Sequence, residues 1–306
     1  MNTFLNQIID LASTPVFLFI ILLEIWLSNR QGRPAYSKKD TLHNFGISLL
    51  AGGVDLVMRG ISLAVLSFFW DHSFFLLAHT VVYWIGLLLL VDCMHYWLHR
   101  LSHSCRFFWA VHVVHHSSNH FNWSVGFRAG TFESCYRFLF FIPIAVAGFR
   151  PIDIFFIYSI TEIWALFTHT EMIKRMGWLE KILVTPSHHR VHHGSNTKYL
   201  DKNIATVFIC WDKLFGTFQE ELPAAAYEPI RYGIKTGPEK DNLGNIIGHE
   251  WKAIWQDLQK PGLRFDQKWM YLFGPPGWSH DGSRQTSKQL QRRELVSNKA
   301  NAQQAL

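Results

Sequence analysis

The sequence predicts an all-α integral membrane protein: a helical bundle of about four transmembrane helices with a cytoplasmic, histidine-rich, metal-binding cap. Three observations predict it. Apolar residues make up 49% of the 306 residues and charged ones only 17%, well under the roughly 25% usual for soluble domains. The apolar residues gather into long runs. Of the 17 histidines, 12 fall between His95 and His193. This composition excludes a disordered, collagenous or disulfide-stapled chain. The four cysteines form no CxxC pair, so neither a disulfide framework nor a zinc ribbon is implied. The net charge of +6 is spread over many short segments, which reads as membrane-surface charge and not as a nucleic-acid footprint.

A helix crossing a bilayer needs roughly 20 mostly apolar residues. The first run, 11–27, contains Glu24 as its only charge and lacks the flanks of a cleavable signal peptide. The second, 45–70, is too long for one straight perpendicular span, with Gly52-Gly53 as a place to bend. Asp55 and Arg59, four apart, are placed to pair on one face of it. The third, 74–98, leads directly into the first histidines. The fourth and fifth, 132–147 and 152–167, meet at Gly148-Phe149-Arg150-Pro151, a tight hairpin short enough to be re-entrant.

Lysine and arginine in the links set the orientation. Arg30, Arg33, Lys38 and Lys39 follow the first run, Arg100, Arg106 and Arg128 the third, and Lys174, Arg175 and Lys181 the fifth. The link after the second run has none. Every basic link falls on one side, so the N-terminus is expected outside and the histidines at the cytoplasmic face. The expected division is a transmembrane region 1–91, a histidine-rich catalytic region 92–220 containing the hairpin 132–168, a cytoplasmic extension 221–280, and a polar tail 281–306, either a frayed helix or disordered.

Three histidine clusters carry the chemistry. His95, His99 and His103 stand at i, i+4 and i+8, along one helix face. His112-Val-Val-His115-His116 and His189-Arg-Val-His192-His193 are both HxxHH, which converges three imidazoles on one side of a turn. Neutral imidazole binds zinc, iron, copper or nickel. A catalytic zinc takes three protein ligands and a structural zinc four, so the eight histidines of one HxxxH and two HxxHH suit two ions. HExxH is absent, and no glutamate sits inside the motifs as a protease base. A nitrogen-only, two-metal site where helices leave the bilayer points to dioxygen activation on a lipid. Breaking an aliphatic C–H bond needs a redox-active metal, which makes iron the expected ion. His43, His72, His79, His249 and His280 read as surface or packing residues, and His120 lies off the repeat.

These residues resemble the fatty acid hydroxylase/sterol desaturase superfamily of membrane di-iron enzymes, in particular its alkylglycerol-monooxygenase-like bacterial members. The matching stretches run from Asp92-x-x-x-Tyr96-Trp97-x-His99-Arg100-x-x-His103 through Trp109-x-x-His112-x-x-His115-His116-Ser117-Ser118, Asn122, Arg128 and His169-Thr170-Glu171. They continue from Thr185-Pro186-Ser187-His188-His189-Arg190-Val191-His192-His193-Gly194 and Asp201-Lys202-Asn203 to Trp211-Asp212-Lys213-Leu214-Phe215-Gly216-Thr217-Phe218. The resemblance puts the first motif on His99 and His103, leaving His95 outside it. It implies two iron ions held by His99, His103, His112, His115, His116, His189, His192 and His193, with His169 as a ninth ligand and His188 as a tenth. It also implies that Asp92, Asn122, Arg128, Glu171, Asp201, Asn203 and Asp212 orient imidazoles or anchor helices. Glu162, two turns before His169, is a further group able to hydrogen-bond a ligand.

The function expected is hydroxylation of a lipid C–H bond (fatty acyl, sterol or alkyl-ether), with ether cleavage following hydroxylation beside an ether oxygen. A lipid desaturase of the same family or a zinc-dependent membrane hydrolase are the alternatives. A transport protein is disfavoured because the histidines cluster at one end of the helices. No haem motif, iron–sulfur cysteine set or GxGxxG loop is present. Electrons are therefore expected from a separate reductant: tetrahydrobiopterin, as the resemblance suggests, or a cytochrome or ferredoxin partner.

Overall fold

The structure is a computed structural model describing residues 2–304 other than 33 and 236, with side chains from 15 to 298. Among the described residues the regular structure is helical, apart from one isolated bridge between Leu183 and Phe208. Helix α1 (Asn2–Arg30) carries the first apolar run, and Glu24 within it is buried. Arg33, one of the basic residues counted after that run, lies outside the described residues.

Helix α2 (Lys38–Asp71) has 34 residues; at ~1.5 Å per residue it is longer than the ~30 Å hydrocarbon core of a bilayer. It runs unbroken through Gly52-Gly53, where a bend is expected from the sequence. The Asp55–Arg59 pair forms at 2.9 Å. Helix α3 (Val81–Ser104) starts at Thr80, whose hydroxyl accepts the Tyr83 N–H. Both α2 and α3 are long and apolar enough to cross a membrane by length and composition. Leu49, Leu56, Val57, Val81 and Val82 stand exposed on their outer faces.

Cys105 is extended, so α4 (Arg106–His116) folds straight back against the end of α3. The fourth apolar run is broken into α5 (Ser134–Arg137), a 3-10 turn (Phe138–Phe141) and α6 (Ile142–Val146). The fifth is a single helix, α7 (Pro151–Phe167), with Pro151 at its first turn where a missing N–H costs nothing. The hairpin tip reaches the end of α2 remote from the histidines: Phe74 N–H donates to Val146 O, and Trp70 Nε1 to Gly148 O. Gly148 has φ +103°, and a Cβ there would lie 2.2 Å from Phe75 O, so the tip requires glycine.

The remaining helices are α8 (Pro186–His192), α9 (Cys210–Phe215), α10 (Leu243–Leu258), α11 (Phe265–Phe273) and α12 (Ser287–Gln304). Of the two forms expected for the polar tail, frayed helix or disorder, α12 takes the helical one. It docks through Gln291 to Leu200 O and through Glu294, which accepts the Tyr227 hydroxyl. The main core lies among α2, α3, α6 and α7, around Leu66, Leu87, Val91, Phe141 and Ile154. A second core, around Tyr96, Val184, Ile204 and Ile209, fixes the loops beyond the histidines to α3. Buried Arg106 ties α4 to α10 and α11 through Glu250, Asp257 and Tyr271 O.

Candidate metal centre

The end of α3 presents His99 and His103, and the antiparallel α4 presents His112, His115 and His116 opposite them. Helix α8 and its C-cap add His189, His192 and His193, and His169 follows the C-cap of α7. These side chains converge in two groups. One is His99, His103, His112, His116 and His192; the other is His115, His169, His189 and His193. Within each group one ring nitrogen per residue lies within 4.8 Å of all the others. Each HxxHH motif is split between the groups, so neither motif builds a site alone.

The outward-facing ring nitrogens fix the tautomers. Nδ1–H of His99 donates to Ile204 O at 2.7 Å, that of His115 to Arg128 O at 3.1 Å, that of His169 to Ala165 O at 2.7 Å, and that of His192 to Lys202 O at 2.9 Å. A carbonyl only accepts, so in a neutral imidazole each Nε2 carries a bare lone pair aimed inward. His115 Nε2 and His169 Nε2 are therefore two lone pairs facing each other at 3.2 Å. His103 Nε2 and His192 Nε2 are buried with no hydrogen-bond partner. Converging, unprotonated nitrogens in a buried site fit cations placed between them.

Burial comes first, and repulsion among the imidazoles second, in holding His112, His116, His189 and His193 well below the ordinary imidazole range. Burial likewise pushes His115 down to about 4. These five imidazoles are thereby held neutral, which is the ligating form.

The residues expected to orient these rings are distributed as follows. Asp92 on α3 accepts the Val207 and Phe208 N–H groups and Trp211 Nε1. Asp212 accepts the Ile204 and Ala205 N–H groups and the Thr217 hydroxyl, fixing the loop whose Ile204 carbonyl receives His99. Asp201 Oδ1 lies 3.2 Å from His103 Nδ1. Asn203, at φ +50°, donates to His188 O and Gln219 O. Buried Arg128 pairs with Asp40 and donates to Ser117 Oγ, while its own carbonyl receives His115. Asn122 donates to Ala35 O, and Glu171 accepts the Tyr232 hydroxyl. The Tyr232 ring stacks on Phe121, which stacks on His169.

Two expected residues stand elsewhere. His188 is outside both groups: its Nδ1 accepts the Thr185 N–H at the start of α8, and its ring packs on Phe218. Glu162 lies 3.8 Å from His95 Nδ1 and so faces a histidine outside both groups, not His169. His120, His249 and His280 also lie outside both groups.

Three contributors were missed in the sequence. Glu24 accepts the Thr170 hydroxyl, the Tyr36 hydroxyl and the Trp123 N–H, so α1 holds the residue after His169. A lone carboxylate in an apolar run was the available signal. Arg190, buried inside the third motif, donates to Thr170 O, Ile173 O and Lys174 O and pairs with Glu221 at 2.7 Å. Glu221 lies in an irregular segment and carries no signal of its own.

A small cavity of about 100 Å³ lies against both groups, with His99, His112, His115, His169 and His189 in its wall. Fold and site together define a class: a protein helical throughout its described residues, with two apolar helices of membrane-crossing length and two groups of histidines able to hold metal.

Comparison with known proteins agrees. The fatty acid hydroxylase family model matches residues 84–217, which contain all nine grouped histidines. The chain is 34% identical over 271 residues to the alkylglycerol monooxygenase of Homo sapiens, covering 87% of this chain and 59% of that protein. It is 36% identical over 275 residues to that of Danio rerio, with the same coverages of 87% and 59%. It is 29% identical over 178 residues to an ornithine lipid hydroxylase of Rhizobium tropici, covering 56% and 48%. No solved structure matches. The chain belongs to the fatty acid hydroxylase/sterol desaturase superfamily. It spans 59% of the length of the two monooxygenases.

Proposed function

We propose that this chain is a membrane di-iron oxygenase that uses dioxygen to hydroxylate a lipid C–H bond. The observation that carries the reading is the set of tautomer-locked imidazoles whose bare nitrogens converge in two groups. His99, His103, His112, His116 and His192 would hold one iron and His115, His169, His189 and His193 the other. The two irons would supply the reductive activation of dioxygen that an unactivated carbon requires. The chain's own part is to keep nine imidazoles aimed inward and to bury most of them. The small cavity against both groups is where the reacting carbon would sit.

The relatives that share most of this chain are named for alkylglycerol, which favours an alkyl-ether lipid over an acyl or sterol substrate. Hydroxylation beside the ether oxygen gives a hemiacetal, which separates into an aldehyde and an alcohol. Electrons would come from a separate reductant, tetrahydrobiopterin or a cytochrome or ferredoxin partner.

Within the same reading, α1, α2, α3 and α7 cross the membrane, and the broken α5–α6 segment returns the chain to the far side under the cover of its neighbours. The N-terminus lies outside and the histidines face the cytoplasm. Arg30, Lys38 and Arg100 at the histidine ends of α1–α3 support this orientation. Residues 1–91 form the transmembrane region, 92–220 the catalytic region and 221–280 an extension packed on α4.

The test is expression in a lipid-producing host, with total lipids compared by mass spectrometry against a His192→Ala control. Gain of one oxygen on a lipid, or loss of ether lipid with new aldehyde, is expected. Loss of two hydrogens without oxygen gain would make the enzyme a desaturase. Unchanged lipids in a host given alkylglycerol and reductant would refute the reading.

A further inference from the structure

Helices α10 and α11 lie outside residues 84–217, the stretch matched by the family, and carry none of the grouped histidines. Their inner faces are accounted for. Ile246 packs with Ile47 of α2 and Val114 of α4, while Glu250 and Asp257 turn inward to buried Arg106 at 2.6 Å each. Contacts at Val114 and then at Arg106 lay α10 antiparallel along α4. Its first turn meets α2 where the apolar run of that helix begins: Leu243 lies against Gly46. Leu42 and Leu49, on either side of that level, stand exposed on α2.

Their outer faces carry open aromatic rings. Trp255 is 64% exposed, Phe265 81% and Trp269 56%. Rings this open on two adjacent amphipathic helices form a patch, not scattered exposure. The patch continues inward as a row of rings. Trp269 packs on Phe273 at 4.5 Å, and Phe273 and Trp251 pack on Phe107 of α4 at 5.9 and 5.2 Å. The next residue, Phe108, packs on Tyr136 of α5 at 4.9 Å. The row thus joins the broken segment read above as crossing the bilayer. Exposed cations stand beside the rings: Lys252, which pairs with Glu239, Arg264, which pairs with Asp266, and Lys268.

We propose that α10 and α11 form an interfacial anchor, lying in the headgroup layer of the bilayer that α2 and α3 cross, at the histidine end. Trp255, Phe265 and Trp269 enter the acyl boundary, and Lys252, Arg264 and Lys268 reach the lipid phosphates. The proposal rests on the reading that α2 and α3 cross the membrane. Three observations select lipid as the occupant. The helices meet α2 at the level where its apolar run begins, the rings are continuous with α5, and cations border them. Tryptophan and phenylalanine on one face with lysine and arginine beside them is the composition of a helix lying in a membrane surface. The long basic side chains bury their stems and keep their charge at the phosphates. Through Arg106 and Phe107 the anchor grips α4, which carries His112, His115 and His116. The bilayer surface is thereby fixed relative to three of the nine grouped histidines.

The test is site-directed fluorescence on the full-length, iron-loaded protein in lipid nanodiscs, with Cys93, Cys135 and Cys210 replaced by serine. A bimane label is placed in turn by Trp255→Cys, Phe265→Cys and Trp269→Cys. Leu56→Cys on the outer face of α2 serves as the lipid reference and Lys288→Cys on α12 as the water reference. Labels at 255, 265 and 269 should be quenched by brominated lipid, and by aqueous iodide at least about threefold less than the label at 288. A label-free variant, Trp255→Ser with Phe265→Ser, removes two rings that water-facing helices would lose at almost no cost. In nanodiscs it should speed amide hydrogen exchange in 243–273 about tenfold or more and leave 151–167 unchanged. Iodide access at all three sites equal to that at 288 would overturn the proposal. So would shielding from both quenchers, which means a second copy or another protein on the patch, or unchanged exchange in the double variant. A label at 56 open to iodide would overturn the membrane reading itself, whereas lipid contact at 56 with water contact at the other three overturns the anchor alone. Anchor labels in lipid without any lipid oxidation on adding substrate and reductant would overturn the oxygenase reading and leave the anchor standing.

Discussion

Replacing Arg190 with lysine should empty one half of the metal centre and spare the other. Arg190 is buried between His189 and His192 on α8, and its fork spans a carboxylate and three carbonyls. Those carbonyls belong to Thr170, Ile173 and Lys174, the stretch that leaves His169. The staple thereby holds His169 Nε2 2.9 Å from His189 Nε2. Lysine keeps the charge but offers three donors from a single point, which cannot serve Glu221 and all three carbonyls. Losing one or two charge-assisted hydrogen bonds, at ~1.5–3 kcal/mol each, gives on the order of 3 kcal/mol. In the opening equilibrium of 169–174 this is about a hundredfold, readable as faster amide hydrogen exchange confined to that segment. Iron content should fall by about half, because the loss is at His115, His169, His189 and His193 only. Full iron content with unchanged exchange in 169–174 would refute the reasoning, since the staple would then have no bearing on His169.

Other substitutions test separate parts of the site. His115→Ala and His192→Ala, one from each group, should each abolish lipid oxidation, whereas His249→Ala should not; turnover surviving in either group variant would break the ligand assignment. Glu24→Ala strands the buried Trp123 N–H and frees Thr170 and Tyr36. It should cost on the order of 2–4 kcal/mol, seen as a lower melting temperature. Gly148→Ala forces a Cβ against Phe75 O at φ +103° and should cost on the order of 1–3 kcal/mol, visible as reduced accumulation and earlier melting. Stripping the metal with a chelator should lower the melting temperature, because the His103 and His192 Nε2 atoms are then buried without partners.

What the sequence revealed and what it hid follow from the range of each interaction. The i, i+3, i+4 spacings of the motifs are local, so eight of the nine grouped histidines could be read from them, and the ninth, His169, from the resemblance. The Asp55–Arg59 pair was legible for the same reason. The partition was not: His115 and His116 are neighbours in sequence yet belong to different groups, a fact set by how α4 packs on α3 and α8. His188, a tenth ligand by the resemblance, stands outside both groups: the start of α8 needs a group to meet a free N–H, and the ring is used there. Whether the polar tail is helix or disorder was not legible, because α12 has little apolar pattern of its own and is held through polar contacts with Leu200 O and Tyr227.

The histidines themselves stand on or beside helices, but most of what orients them does not. Three of the carbonyls that lock ring tautomers come from Arg128, Lys202 and Ile204, outside the regular helices, and Asp201 joins them from the same irregular stretch. A helix interior has no carbonyls to spare, because each already accepts the N–H four residues on; irregular backbone does. That backbone must in turn be held, which accounts for Asp92 and Asp212, each accepting two consecutive N–H groups of the 204–208 loop. The positive φ angles of Asp201 and Asn203 belong to the same arrangement: they turn the Lys202 carbonyl toward His192 between two left-handed residues. Asp212, far from any imidazole, thus acts on His99 through the Ile204 carbonyl, with Asp92 holding the same loop at 207–208, and loss of Asp212 should loosen ring orientation before it loosens the fold. Asp212→Asn is the sharpest case, since it spares the cap's apolar packing on Tyr96 and Ile209 while weakening the hold on Ile204. Iron content should fall in the group that contains His99, while the metal-stripped variant melts at the same temperature as the metal-stripped parent. A lower melting temperature with full iron would show instead that the carboxylate serves only the fold.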